Sequence, residues 1–175
     1  QRGIKHLLSI NISSSCVGDD IVCKQIAQLL QVNRNEYQTI GLELTETGMM
    51  ADFEQCRQAM SLWKAAGAEI WIDDFGTGYS SLSYLHELSI DVLKIDRSFV
   101  ASLKSDELNP VVMSIFALAQ ALGLKVIAEG IEQEEQARCA VALGGDVLQG
   151  FLFAKPMPLN DFIKKMELND YVQIK

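Results

Sequence analysis

Residues 69–79 read Glu-Ile-Trp-Ile-Asp-Asp-Phe-Gly-Thr-Gly-Tyr, a short apolar run that ends in two adjacent carboxylates and a loop with glycines at 76 and 78. The run Ile70-Trp71-Ile72 has the composition of a buried strand. Neighbouring side chains on a strand point to opposite faces, so Asp73 and Asp74 can meet only where the strand ends and its backbone turns. Their repulsion then calls for protonation, a basic neighbour or a hard divalent cation. Taken alone, the pair fits a solvated turn better than a metal site.

Other apolar runs also end in polar or acidic residues: Asn11, Glu43 and Glu46, Lys94 and Asp96, Glu129, and Gln149. Glu43, Asp73, Asp74 and Glu129 would bring four carboxylates toward one mouth, with Lys94 the obvious cation among these strand-end residues. Oxygen donors from the carboxylates and the Asn11 amide, without His or Cys, select Mg²⁺ or Mn²⁺ over zinc or copper. Two such ions about 3.5–4 Å apart would activate a water and stabilise both oxygens of an in-line phosphoryl displacement. That chemistry favours phosphodiester hydrolysis. His6 and His86 lie away from the strand ends and take no role.

The elements that must position these residues follow a strand-helix cadence. Strands are expected at Leu7–Ile12, Ile40–Glu46, around Ile70–Ile72, at Val92–Asp96, Lys125–Gly130 and Val147–Phe153. Asp19 or Asp20 can cap a helix carrying Ile21, Val22, Ile26, Leu29 and Leu30, and Asp52 a second through Cys56, Met60 and Trp63 that closes at Gly67. A short helix is expected from Ser80 or Ser81 through Leu82, Leu85 and Leu88. Pro110 suits the first turn of the helix that ends at Gly123. Further helices are expected from about Glu132 to Leu143 and from Asn160 or Asp161 through Phe162, Ile163 and Met166. No linker or low-complexity segment interrupts the series, so the pattern predicts one α/β domain over residues 1–175 with a parallel sheet. An open doubly wound sheet and a (β/α) barrel both satisfy it. No Gly-x-Gly-x-x-Gly turn follows a strand, whereas a barrel builds its site at the carboxyl ends of its strands, where these polar residues lie.

With 175 residues, 49% of them hydrophobic and 22% charged, the chain can bury an ordinary core. No apolar run reaches the roughly 20 residues of a membrane span, and the start lacks the apolar core of a signal peptide, so a cytoplasmic domain is expected. Net charge of −8 disfavours polymeric nucleic acid but admits a small nucleotide whose phosphates are held by cations. Cys16, Cys23, Cys56 and Cys139 have no C-x-x-C spacing and read as reduced packing thiols.

Six stretches, Ser9-Ile10-Asn11-Ile12-Ser13, Leu42-Glu43-Leu44-Thr45-Glu46-Thr47, Asp73-Asp74-Phe75-Gly76-Thr77-Gly78-Tyr79-Ser80-Ser81, Leu93-Lys94-Ile95-Asp96-Arg97-Ser98-Phe99-Val100, Val126-Ile127-Ala128-Glu129-Gly130 and Gln149-Gly150-Phe151-Leu152-Phe153-Ala154-Lys155-Pro156, resemble in order the motifs of EAL-domain cyclic di-GMP phosphodiesterases. The resemblance implies a modified TIM (β/α)8-type barrel and hydrolysis of cyclic di-GMP to linear pGpG in bacterial second-messenger signalling. It implies two Mg²⁺ or Mn²⁺ ions, with Ca²⁺ inhibitory, and a homodimer formed through the loop and helix after Asp74. Asn11, Glu43 and Asp73 would be metal ligands, with Asp74 serving the second ion. Lys94 would orient the attacking water or steady phosphate charge. Glu129 would be the general base or a water-mediated metal partner, with Gln149 beside it. Glu46 would tie down the loop at 74–79, whose glycines allow a tight path. Lys155 and Pro156 edge the nucleotide site or form a structural turn, and Asp96 contacts substrate or the dimer, or caps a helix.

The Glu-Ala-Leu segment that names the family is absent from the chain, so an N-terminally truncated domain lacking its first strands is expected, as the cytoplasmic part of a larger, membrane-anchored sensor or as a protein by itself. The enzyme reading competes with a catalytically inactive EAL-like domain that binds cyclic di-GMP or a protein partner.

Overall fold

The computed structural model of the chain describes residues 8–33, 40–50, 52–78, 85, 87–104 and 109–167. Leu7, His6, His86, Tyr79 and the expected helix start at Ser80 or Ser81 lie outside the described residues, as does Leu82. The chain divides into two compact units, Gln1–Lys94 with Leu122–Lys125, and Ile95–Ala121 with Val126–Lys175.

The first unit contains β1 (Leu8–Asn11), β2 (Ile40–Thr45), β3 (Glu69–Phe75) and the start of β4 (Val92–Ile95), in the order β1-β2-β3-β4. β1, β2 and β3 run parallel, with Asn11 opposite Glu43, Glu43 opposite Trp71 and Thr45 opposite Asp73. Gly41–Leu44 and Ile70–Ile72 are continuously buried, the pattern of parallel strands covered on both faces. Gly41 is required here. A Cβ at this position would lie 2.4 Å from the Trp71 ring, so its absence lets the indole lie against β2.

Among the described residues this unit holds α1 (Ser14–Val17), α2 (Asp20–Asn33), α3 (Glu46–Met50) and α4 (Phe53–Ala65). Asp19 Oδ1 accepts the Ile21 N–H at 2.8 Å and Asp52 Oδ1 the Gln55 N–H at 3.1 Å, so both helices start where the acidic caps predict. Trp63 is fully buried and donates Nε1–H to the Cys23 carbonyl at 3.1 Å, which ties α4 to α2. Two boundaries differ from the sequence reading. β2 ends at Thr45, whose Oγ1 accepts the Gly48 N–H, so Glu46 opens α3 instead of closing the strand. β3 does not stop at Ile72 but continues through both aspartates to Phe75.

The second unit contains α5 (Arg97–Val100), α6 (Pro110–Ala121), β5 (Lys125–Ala128, in this unit from Val126), α7 (Glu134–Ala142), β6 (Val147–Leu148) and α8 (Leu159–Glu167). β5 and β6 pair parallel, Ile127 opposite Val147 and Ala128 opposite Leu148. Ile95, Val112, Phe116, Ala119, Val126 and Ile131 supply buried apolar surface. Pro110 occupies the first turn of α6 as expected. α7 begins two residues later than expected, because Gln136 Oε1 accepts the N–H groups of Glu132 and Gln133 ahead of it.

The sixth strand, expected over Val147–Phe153, ends at Leu148. Gln149 keeps strand-like bonds to Ala128 and Ile131, but a Cβ on Gly150 would lie 2.1 Å from the Ile131 carbonyl oxygen. At that close approach the chain turns. Leu152 N–H bonds to the Ile131 carbonyl and Phe153 N–H to that of Gly150. α8 starts at Leu159, ahead of Asn160 and Asp161, because the N–H groups of Asp161 and Phe162 both bond to the Pro158 carbonyl. The four cysteines are free, Cys16 half-buried and the others buried, as reduced packing thiols. Among the described residues no helix is long and apolar enough to cross a membrane.

Candidate functional site

In the first unit the carboxyl ends of β2, β3 and β4 bring Glu43, Asp73 and Lys94 together. Lys94 Nζ donates to Glu43 Oε2 at 2.6 Å and to Asp73 Oδ1 at 2.9 Å. Lys94 is 3% exposed and Glu43 5%, so both charges of that pair are out of water. A buried ion pair is held by geometry and complete hydrogen bonding more than by net attraction, and removing one partner strands the other. One ammonium against two carboxylates leaves one negative charge uncompensated within this trio. Asn11 lies at the end of β1, opposite Glu43 in register, and is exposed.

Asp74 resolves the problem of two neighbouring carboxylates on one strand by its backbone. Its φ of 55° is left-handed, a conformation Asp tolerates better than most residues, and it breaks the alternation of strand faces. Its N–H donates to Asp73 Oδ1 at 3.1 Å. Its carbonyl accepts from Thr77 N–H at 3.3 Å and Thr77 Oγ1 at 2.8 Å, folding the loop back on the strand end. Glu46 holds the same loop. It is 4% exposed and its Oε2 accepts the Gly76 N–H at 3.0 Å, and a Cβ on Gly78 would come 2.9 Å from Oε1. Gly78 thus eases the approach of a buried carboxylate to main chain, and Gly76, at a left-handed φ of 95°, turns its N–H toward it.

The donors in this unit, Asn11, Glu43, Asp73 and Asp74, offer oxygen alone, and with Asp74 added the acids outnumber the single lysine. Such a set suits a hard divalent cation and not a thiophilic one.

In the second unit Glu129 follows β5, half-buried, with its N–H donating to the Ile95 carbonyl at 3.1 Å. Gln149 is exposed and reaches this strand end through its main chain, with its N–H on the Ala128 carbonyl and its carbonyl accepting the Ile131 N–H. Asp96 caps α5. Its Oδ1 accepts the Ser98 N–H at 2.9 Å and a very short bond from Ser98 Oγ. Burial raises the pKa of this carboxyl, but the bonds from Ser98 and the charge of Arg97 outweigh it and hold it below the ordinary carboxylate range. Lys155 and Pro156 line an open cleft of about 530 Å³ with Gln149, Phe151, Met157 and Phe162. Lys155 Nζ stands 5.5 Å from the centre of the Phe151 ring. Residue-type reasoning misses Phe151 and Phe162 because both fall in segments whose pattern reads as core. It also misses Arg97, whose Cβ and Cα press on Gly130, the residue next to Glu129.

Parallel strands alternating with helices, and polar residues at the strand ends with a buried lysine among acids, define an α/β protein of the barrel class with an oxygen-donor site. The EAL domain family model matches residues 1–156, and the chain belongs to that family. Its fold class is the modified TIM-type barrel of EAL domains. The chain is 39% identical over 158 residues to cyclic di-GMP phosphodiesterase PdeR of Escherichia coli (strain K12), covering 90% of this chain but only 24% of that protein. It is also similar to the PaMucR phosphodiesterase in its c-di-GMP complex, at 37% identity and a TM-score of 0.78, covering 88% of this chain and 63% of that one. Klebsiella pneumoniae BlrP1, solved as a manganese/cy-diGMP complex, is 31% identical with a TM-score of 0.73 over 87% of this chain and 40% of that one.

Proposed function

We propose that this chain, within a protein carrying the complete EAL domain, hydrolyses cyclic di-GMP to linear pGpG. The observation that carries the reading is the buried Lys94, bonded to both Glu43 and Asp73 at adjoining strand ends. The similarity to PdeR and to the PaMucR complex supports the choice of substrate.

Asn11, Glu43, Asp73 and Asp74 would hold Mg²⁺ or Mn²⁺, and the resemblance to EAL phosphodiesterases gives Glu129 the role of general base or of a water-mediated metal partner. When bound, such ions supply Lewis-acid stabilisation of the phosphoryl oxygens and a more acidic water. The chain's own residues do the rest. Lys94 fixes the orientation of the Glu43 and Asp73 carboxylates, and Glu46 keeps the loop after Asp74 against them. Glu129 accepts the proton of the attacking water as general base. Gln149, Lys155 and Pro156 border the nucleotide, and Asp96 fixes the turn that follows β4. Homodimerisation through the segment after Asp74 and inhibition by Ca²⁺ belong to the same reading and rest on the resemblance alone, and a cytoplasmic place goes with it.

The test is pGpG formation by the complete-domain protein with Mg²⁺ or Mn²⁺. Chelation is expected to abolish turnover, Asp73→Ala to remove it outright, and Glu129→Ala to lower kcat about 100-fold or more with little change in binding. Activity that survives exhaustive metal removal would overturn the mechanism. Tight calorimetric binding of cyclic di-GMP without product in any metal would favour the sensor reading instead.

A further inference from the structure

Glu129 is followed by Gly130, whose φ of 70° is left-handed. A Cβ at Gly130 would lie 2.4 Å from Arg97 Cβ and 3.2 Å from Arg97 Cα. The first distance is not a contact that a flexible side chain can relieve, because a Cβ moves only with its main chain. Arg97 is itself held in place. It is the first residue of α5, whose start is set by the Asp96 carboxylate on Ser98 and whose Val100 is fully buried. On the near side of Gly130, Glu129 N–H bonds to the Ile95 carbonyl. On the far side, Ile131 N–H bonds to the Gln149 carbonyl. The two residues Glu129 and Gly130 are therefore held between the turn that follows β4 and the turn that follows β6.

We propose that the seat of Arg97 on Gly130 is a positioning device for Glu129: the missing Cβ lets the Asp96-Arg97 turn close on the end of β5, and that closure sets where the Glu129 carboxylate stands. Gly130 and Arg97 act here as positioning residues, through main chain and Cβ, and not through the guanidinium charge. The consequence for hydrolysis rests on the phosphodiesterase reading, whereas the clamp itself does not. A misplacement of a reacting group by a fraction of an ångström lowers kcat more than it weakens substrate binding.

Two readouts on the complete-domain protein separate these levels: exchange of the Glu129 amide hydrogen, which reports its bond to Ile95, and steady-state hydrolysis. Gly130→Ala is expected to speed Glu129 amide exchange about tenfold or more and to lower kcat about tenfold or more, with KM within about threefold of wild type. Adding Arg97→Gly removes the 2.4 Å conflict and leaves the 3.2 Å one, which small shifts absorb. This double variant is expected to regain most of the amide protection and most of kcat. Adding Arg97→Ala instead removes the charge but keeps the Cβ, and is expected to restore neither. The strain of a left-handed alanine at position 130 is common to both double variants and so cancels in their comparison. If Gly130→Ala does not fold, recovery of folding by Arg97→Gly and not by Arg97→Ala carries the same decision. Wild-type protection and kcat in Gly130→Ala would overturn the proposal, as would equal rescue by both Arg97 variants or rescue by neither. A wild-type protein that makes no pGpG would overturn the hydrolysis reading, while the exchange series would still decide the clamp.

Discussion

Glu46 shows how a buried charge can serve geometry without touching a reacting atom. A carboxylate at 4% exposure needs its lone pairs satisfied, and one oxygen takes the Gly76 N–H of the loop that follows Asp74. The other oxygen would lie 2.9 Å from a Cβ on Gly78, so a side chain there would have to push the carboxylate aside. Replacing Glu46 by Ala leaves the Gly76 N–H without this acceptor and opens a gap, at a cost of about 1–3 kcal/mol to the local fold. In the complete-domain protein it is expected to lower activity at least about tenfold by loosening residues 75–78. Glu46→Gln keeps an oxygen acceptor and is expected to lose less. Gly78→Ala is expected to resemble Glu46→Ala, since its Cβ displaces the same carboxylate. Kinetics paired with amide exchange at Gly76 measure both ends of this contact. Unchanged kinetics with faster exchange at Gly76 would remove the loop from the mechanism.

Helix packing in the first unit carries a different and simpler chemistry. Cys56 of α4 is completely buried, and burial first, then the nearby Cys23 and Asp52, push its thiol from 9.0 up to about 12. The folded-state value is raised, so this thiol favours folding equally at all pH below about 9. That advantage is lost as pH rises from about 9 toward 12, at roughly 1.4 kcal/mol per pH unit for one proton. Denaturant midpoints between about pH 8 and pH 11 are expected to fall more steeply in wild type than in Cys56→Ala. Parallel curves would show that the thiol does not govern the alkaline limb. The same helices indicate what a sequence can and cannot reveal. Asp19, Asp52, Gly67 and Pro110 act on their own helix ends, so their meaning is local and readable from spacing. The start of α3 at Glu46 depends on Thr45 Oγ1 reaching the Gly48 N–H, and the turn at Gly150 depends on Ile131 arriving from a distant segment. An apolar stretch such as Gly150–Phe153 looks like a strand when that neighbour is unseen. At the site, residue types alone identify Glu43, Asp73 and Lys94. Their joining needs the parallel register that sets Thr45 opposite Asp73, and the left-handed Asp74 needs the loop that folds back on its carbonyl.

For the molecule as a whole, strand edges and net charge pull in opposite directions. β1 pairs with β2 and β6 with β5, and among the described residues no strand covers the other edge of either. Leu8 and Ile10 of β1 are 54% and 46% exposed, and Val147 of β6 is 42% exposed. Open edges with apolar side chains are templates for pairing with another chain, which a closed eight-stranded barrel of this class does not offer. The net charge of −8 opposes association, but at physiological salt it is screened beyond about 8 Å, whereas strand pairing acts at contact. The edge is therefore expected to win at ordinary ionic strength. Sedimentation velocity on the 175-residue chain should show association that grows with protein concentration and with salt. A lysine in place of Ile10 adds a charge to the edge and is expected to shift the chain toward monomer without changing its helix content by circular dichroism. A chain that sediments as monomer at every concentration and salt, with Ile10→Lys indistinguishable from it, would overturn the expectation that the β1 edge drives association.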